Sequence, residues 1–207
     1  MAITELVFPI FKPETAQQAL NTLRTESMTF GGTFGLLSRR VGHVQRLNDQ
    51  VISASHRAIL ALEWNDTKDF RKFFPASEVF GAFRNKMIPY LVQVPMPQPF
   101  QPAPGYSRSS ELFESGVTQV FVANVGNGNQ EIENAWQKFV ERLRQENRGV
   151  KNWAGWGLED AEDSWLGIVG YDSAEELHSV GGRENVAALV ENIKKIEGME
   201  EFIVTFE

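Results

Sequence analysis

Two stretches of the chain alternate with a period of two while both phases stay apolar. In "RAILALEW", Ala58, Leu60, Leu62 and Trp64 share one face, and Ile59 and Ala61 share the other. In "SWLGIVGY", Trp165, Gly167, Val169 and Tyr171 stand against Leu166 and Ile168. A strand with two apolar faces needs cover on both sides, one face packing on helices and the other on a second sheet. Around these stretches the pattern predicts further elements in the same order twice. "TELVFPIF" and "TQVFVANV" are apolar, strand-like runs. Helical patterns follow, "PETAQQALNTLRTESM" and "NQEIENAWQKFVERLRQEN", the second with Ile132, Trp136, Phe139, Val140 and Leu143 at three- and four-residue spacing. Strands come next around "HVQRLNDQV" and "VKNWAGWGL", each ahead of one of the two-faced strands. A second helix region and a closing strand, "YLVQVPM" or "EFIVTFE", complete each half.

The order is therefore βαββαβ twice, an α+β class of two ferredoxin-like units. Placing Gly42 on Gly149 sets an offset of 107 residues, which also carries Trp64 onto Tyr171. At the following helix starts, "WNDTKDF" lies over "YDSAEEL", so that Asp66 matches Ser173 and Asp69 matches Glu176. Each pair predicts an N-cap residue with an acid three positions on, which satisfies the orphan amides of a first helical turn. Between the halves, "PMPQPFQPAPGYSRSS" reads as an extended connector, because a proline-rich run neither continues a helix nor donates to a central ladder. The expected domains are residues 1–96 and 118–207, joined by a linker over 97–117.

Composition narrows the function classes. The 27 Asp and Glu against 20 Lys and Arg give a net charge of −7, a poor surface for nucleic acid. The absence of Cys excludes disulfides, thiolate nucleophiles and thiolate metal sites. "MAITELVFPIFKP" has no basic n-region or cleavage site, and no segment reaches the roughly 18 apolar residues of a membrane span. The expectation is a cytoplasmic protein with no membrane partner, either a monomer built as a pseudo-dimer or a homodimer of such chains.

With its βαββαβ order, the strand "RGVKNWAGWGLED" and the turn "GYDSAEELH", the chain resembles the dimeric α+β barrel superfamily, and within it the antibiotic-biosynthesis-monooxygenase-like proteins. The resemblance covers about 90 residues of each half and implies a tandem fusion that forms an intramolecular pseudo-dimeric barrel. It is similar also to duplicated fungal secondary-metabolite tailoring proteins. A ligand cavity between sheet and helices, or between the sheets, is what the resemblance implies. The superfamily spans oxygenases, isomerases, cyclases, heme enzymes and stress proteins, so fold alone does not choose the chemistry. In the first half the turn reads "EWNDTKDFR", with Arg71 where the second half has His178.

The candidate chemistry lies in imidazoles and aromatic rings. His178, near the start of a helix, reads either as a general base or as a helix residue bonded to a nearby carbonyl; no second residue is spaced to orient it as a heme ligand. His43 alternates with Gln45 on one strand face, as a donor and acceptor pair toward a cavity or as an exposed edge. His56 in "SASHRA" reads as a solvated loop residue. Trp64, Trp153, Trp156, Trp165 and Tyr171 form the largest aromatic concentration, which walls a flat apolar substrate or simply fills a core. Counterparts of Trp153, Trp156 and Trp165 at the same offset are Arg46, Asp49 and Ala58, so the halves differ. "NVGNGNQE" lacks the lysine of a phosphate loop and reads as a turn with a helix cap. The acids of "GLEDAEDSW" read as a solvated hairpin tip, without a metal-loop pattern.

These features predict a cofactor-independent tailoring enzyme, with no metal, that cyclises or isomerises a bulky apolar metabolite. Its expected machinery is His43 or His178 for proton transfer, with Gln45, Trp64, Trp153, Trp156, Trp165 and Tyr171 around the substrate. Two alternatives stand beside it, a cofactor-free monooxygenase and a non-catalytic metabolite-binding or stress protein.

Overall fold

The computed structural model describes residues 1–52, 56–126, 129–146 and 149–207. Asn127 and Gly128 of the expected turn, Asn147 at the end of the expected helix and Arg148 ahead of the expected strand lie outside the described residues. The first half contains β1 (Ile3–Val7), α1 (Ala16–Ser27), β2 (Leu36–Leu47), the stub β3 (Gln50–Val51), β4 (Ala58–Trp64), α2 (Thr67–Phe73), α3 (Glu78–Met87) and β5 (Gln98–Pro102). The second contains β6 (Val117–Asn124), α4 (Gln130–Glu146), β7 (Lys151–Gly157), β8 (Ser164–Tyr171), α5 (Ala174–Gly181), α6 (Glu184–Lys194) and β9 (Glu200–Phe206). Both expected caps form. Asp66 accepts from the Asp69 amide at 3.0 Å and Ser173 from the Glu176 amide at 3.2 Å. The first half's long helical pattern breaks in two because Phe74 turns extended ahead of Pro75, and Ser77 then caps α3 through the Phe80 amide.

All strand pairs are antiparallel. They run β2-β4-β1-β5-β7-β8-β6-β9, and β9 pairs back onto β2, so the sheet closes into an eight-stranded barrel with β3 as a short flap on β2. Closure removes the bare edges that either sheet would carry alone. Two-faced strands sit where their pattern requires. Leu60, Leu62 and Trp64 face α1, α2 and α3, while Ile59 and Ala61 point into the barrel. Likewise Trp165, Val169 and Tyr171 lie under α4, α5 and α6, with Leu166 and Ile168 inside.

The space between the sheets is packed. Leu6, Val44, Phe100, Val120, Trp153 and Phe202 meet there as a continuous apolar core, closed at one end by Phe113 edge-on to Phe206 with centroids 4.8 Å apart. Side chains of β9 fill the space over Gly42 so closely that a Cβ there would stand 2.5 Å from the Val204 side chain. Each fully buried large side chain in such a layer stabilises by about 1.5–3 kcal/mol.

Two expectations are corrected. The first half's closing strand is not "YLVQVPM": Leu91 makes only an isolated bridge with Phe11, and the strand forms inside the expected linker, at Gln98–Pro102. Its prolines are tolerated because Pro99 and Pro102 leave only their own ladder positions without a donor, while Phe100 sits opposite Thr4 and Gly157. The offset of 107 residues fails on β2. Gly42 faces Ile59 whereas Gly155 faces Leu166, so Gly42 corresponds to Gly155, and Trp153 and Trp156 correspond to Arg40 and His43. Hairpin connections are not held in register by the sheet, and the one between β2 and β4 is longer than the one between β7 and β8.

Candidate functional site

In both halves, the space between the sheet and its second pair of helices is open. The two spaces correspond at four helix positions and at one position on the sheet. Phe80, Phe83, Arg84 and Met87 of α3 line the first, and Ala187, Val190, Glu191 and Lys194 of α6 line the second, again 107 positions on. On the sheet, Ile3 faces Trp64 and Val117 faces Tyr171, which makes Glu5 the counterpart of Gln119.

The first space is a cavity of about 50 Å³ walled by Leu23, Leu60, Leu62 and a cage of rings. Phe30 meets Phe73 and Phe83 edge-on at 4.9 and 4.8 Å, and Phe80 meets Phe73 at 5.6 Å. Into it projects Glu5, which shares a strand face with Ile3 and Val7 and is 2% exposed. Trp64 Nε1 donates to Glu5 Oε2 at 2.6 Å, and the other carboxylate oxygen has no partner among the described residues. Burial pushes the Glu5 carboxyl up to about 7, against the Trp64 hydrogen bond, which lowers it. A carboxyl poised there exchanges a proton readily at neutral pH.

The second space, a cleft of about 390 Å³, is polar at the same depth. Tyr171 donates its hydroxyl to Gln119 Oε1 at 3.0 Å, and Gln119 Nε2 donates to Glu201 Oε1. Desolvation raises the Glu201 carboxyl, and Lys194, 3.9 Å away, opposes that. Lys194 is itself held by Asp49 and Glu191 at 2.8 and 2.9 Å. Burial raises the Tyr171 phenol above its ordinary range, which keeps it a neutral donor.

The expected site residues scatter over five places. His178 and Gln45 line the cleft of the second half, both exposed, and Gln45 Nε2 donates to Thr205 Oγ1 at 2.7 Å. Tyr171 reaches that cleft through Gln119. Trp156 and Trp165 line a separate groove beneath α4, where Trp156 Nε1 donates to Glu133 at 3.0 Å and Trp136 stands edge-on to Trp165. Trp153 belongs to the barrel core, with its Nε1 directed to the Ser107 carbonyl at 3.4 Å. His43 is half-buried on β2 between Ala58 and Thr205, and its Nε2 is enclosed without a partner among the described residues. His56 is half-buried rather than solvated, with Nδ1 enclosed in the same way. Of the set, Trp64 alone touches Glu5.

Sequence reasoning passed over Glu5. The signal was present in "ITELV", where an acid occupies the phase of Ile3 and Val7 on a short strand of otherwise uncharged residues. A second buried acid, Glu63, has a different task. It points to the barrel end and accepts from Arg108 and from the Ser109 and Ser110 amides, which ties down the connector. Among the described residues no three His, Asp or Glu side chains converge as metal ligands, and no helix is long and apolar enough to cross a membrane.

No family model matches the sequence, and no curated protein matches it. Solved structures do. An anthrone oxidase-like protein superposes with a TM-score of 0.67 at 13% identity, over 100% of this chain and 91% of the other. A candidate monooxygenase from Fusobacterium nucleatum gives 0.65 at 12% identity, over 99% and 92%. A second candidate monooxygenase, from Lactobacillus acidophilus, gives 0.60 at 10%, over 99% and 93%. The chain thus shares its fold with these structures, a dimeric α+β barrel that here closes within a single chain.

Proposed function

We propose that the protein is a cofactor-independent tailoring enzyme whose reaction begins when Glu5 takes a proton from an activated carbon of an apolar ring substrate. The observation that carries this reading is a buried carboxyl that faces an apolar cavity and accepts from Trp64 through one oxygen, with burial pushing it up to about 7. General-base catalysis by such a group contributes about 10²–10⁴-fold.

The carbanion has two fates, and the geometry orders them. Cyclisation by shape restraint needs room to fold a bulky chain, yet the barrel interior is filled and the Glu5 cavity is about 50 Å³. Oxygenation needs only the reacting edge of a ring inside, with dioxygen beside it. Electron transfer from the carbanion to dioxygen and recombination give a peroxide, which recovers the first proton from Glu5. Glu5 then removes the second hydrogen from the same carbon as hydroxide leaves and takes up that proton. A methylene plus dioxygen has become a carbonyl plus water, without an external reductant. The fold shared with an anthrone oxidase-like protein and with candidate monooxygenases supports placing oxygenation first.

Anthrone, a methylene flanked by two aryl rings, is the test substrate. We expect dioxygen uptake and a product that has gained one oxygen and lost two hydrogens in air, no change under argon, and loss of turnover in Glu5→Gln. Conversion to an isomer of unchanged mass in both gases would replace oxygenation by isomerisation, and full activity of Glu5→Gln would remove Glu5 from the reaction.

A further inference from the structure

Apart from Glu5, every residue lining the first cavity is apolar or proline except Arg84, which stands exposed at its edge on α3. Its side chain makes no hydrogen bond or ion pair among the described residues. Arg24, Arg40, Arg71, Arg108, Arg142 and Arg183 pair with Glu side chains, whereas Arg46, Arg57 and Arg144, like Arg84, make no ion pair among the described residues, and Arg84 is the one of these that lines the first cavity. The opposite half sharpens the contrast, because the counterpart of Arg84 is Glu191, occupied by Lys194, and the counterpart of Met87 is Lys194 itself. The first cavity therefore has its acid inside and an uncommitted cation at the mouth, while the second has an acid at the mouth.

We infer that the substrate is an apolar ring compound carrying an anionic group, a carboxylate or a phenolate, which Arg84 holds at the mouth while the ring enters toward Glu5. This rests on the reading of the same cavity as a substrate site. A guanidinium presents a planar fork of donors to such an anion, and a charge-assisted pair of this kind is stronger than a neutral hydrogen bond. The cavity's small volume fits the division of labour, with only the reacting edge inside and the polar end held outside. Because Arg84 positions the substrate without touching the reacting carbon, its loss should appear in binding and KM more than in kcat.

The test is direct binding of 2-naphthoate and its neutral analogue 2-naphthamide, followed by calorimetry at pH 7.5. In Arg84→Met we expect the 2-naphthoate Kd to rise about tenfold while that of 2-naphthamide stays within about twofold. Arg84→Glu, which installs the charge of the other half, should weaken 2-naphthoate further, and Arg84→Lys should restore part of the affinity. Equal changes for both probes, or no 2-naphthoate binding to the unaltered protein, would overturn the assignment. The Glu5 reading fails separately. In Glu5→Gln, 2-naphthoate should bind at least as tightly because a like charge is removed, so full turnover there would sink the base while leaving Arg84 in place.

Discussion

The two halves of this chain fold alike, and among their many differences one pair of aligned sheet positions, Glu5 and Gln119, sets the character of the space beneath the helices. In the first, Glu5 accepts from Trp64 inside a cage of phenylalanines; in the second, Gln119 accepts from Tyr171 and passes the network on to Glu201 and Lys194. The amide makes the second network neutral at its centre and satisfied on both sides. The carboxylate leaves the first with a group that costs free energy to ionise and has an oxygen to offer. In the proposed reading, the carboxyl in place of the amide, together with the apolar cage around it, is what equips the first half with a proton acceptor.

The comparison breaks most decisively by removing the acid. Glu5→Gln converts the first half toward the second and should lower oxygen uptake with anthrone by about 10²–10⁴-fold. The same change should stabilise the fold above neutrality. The folded carboxyl titrates near 7 against an ordinary 4.5, so the folded chain binds more protons than the unfolded one between those values, and stability falls as pH rises through that window. Chemical denaturation of Glu5→Gln should therefore match the parent at pH 4 and exceed it by about 3 kcal/mol at pH 8.

Smaller effects separate the two donors. Trp64→Phe removes the hydrogen bond that favours the ionised carboxylate, so the pH–rate midpoint should move up by about one pH unit. Tyr171→Phe leaves Gln119 Oε1 without its donor. It should cost about 1–2 kcal/mol in denaturation without altering the pH profile. The smallest effect belongs to His178→Ala. The side chain is exposed, and both stability and turnover should stay within about 0.5 kcal/mol of the parent. A large loss of turnover there would instead place the reaction in the second half.

The pattern of the sequence carried the architecture further than the site. The two apolar phases of "RAILALEW" and "SWLGIVGY" required a layer on each side, and the caps at Asp66 and Ser173 fixed where the helices leave the sheet. Closure by Gln98–Pro102 was hidden because prolines argue against a strand and only the seam between two sheets gives them a place. The aromatic residues misled for a related reason. Trp153 and Trp156 are three apart on one strand and so point to opposite faces, one into the barrel and one under α4. Glu5 and Trp64 are far apart in sequence and meet only through the register of β1 on β4, which no local pattern specifies.

The most direct measurement is the titration of the Glu5 carboxyl itself, by infrared difference spectroscopy of the parent protein against Glu5→Gln from pH 4 to 9. A single protonated-carboxyl band lost in the variant, with a midpoint near pH 7, is the predicted result. A midpoint near 4.5, the ordinary value, would mean that water reaches the group freely and that the first half holds no poised base.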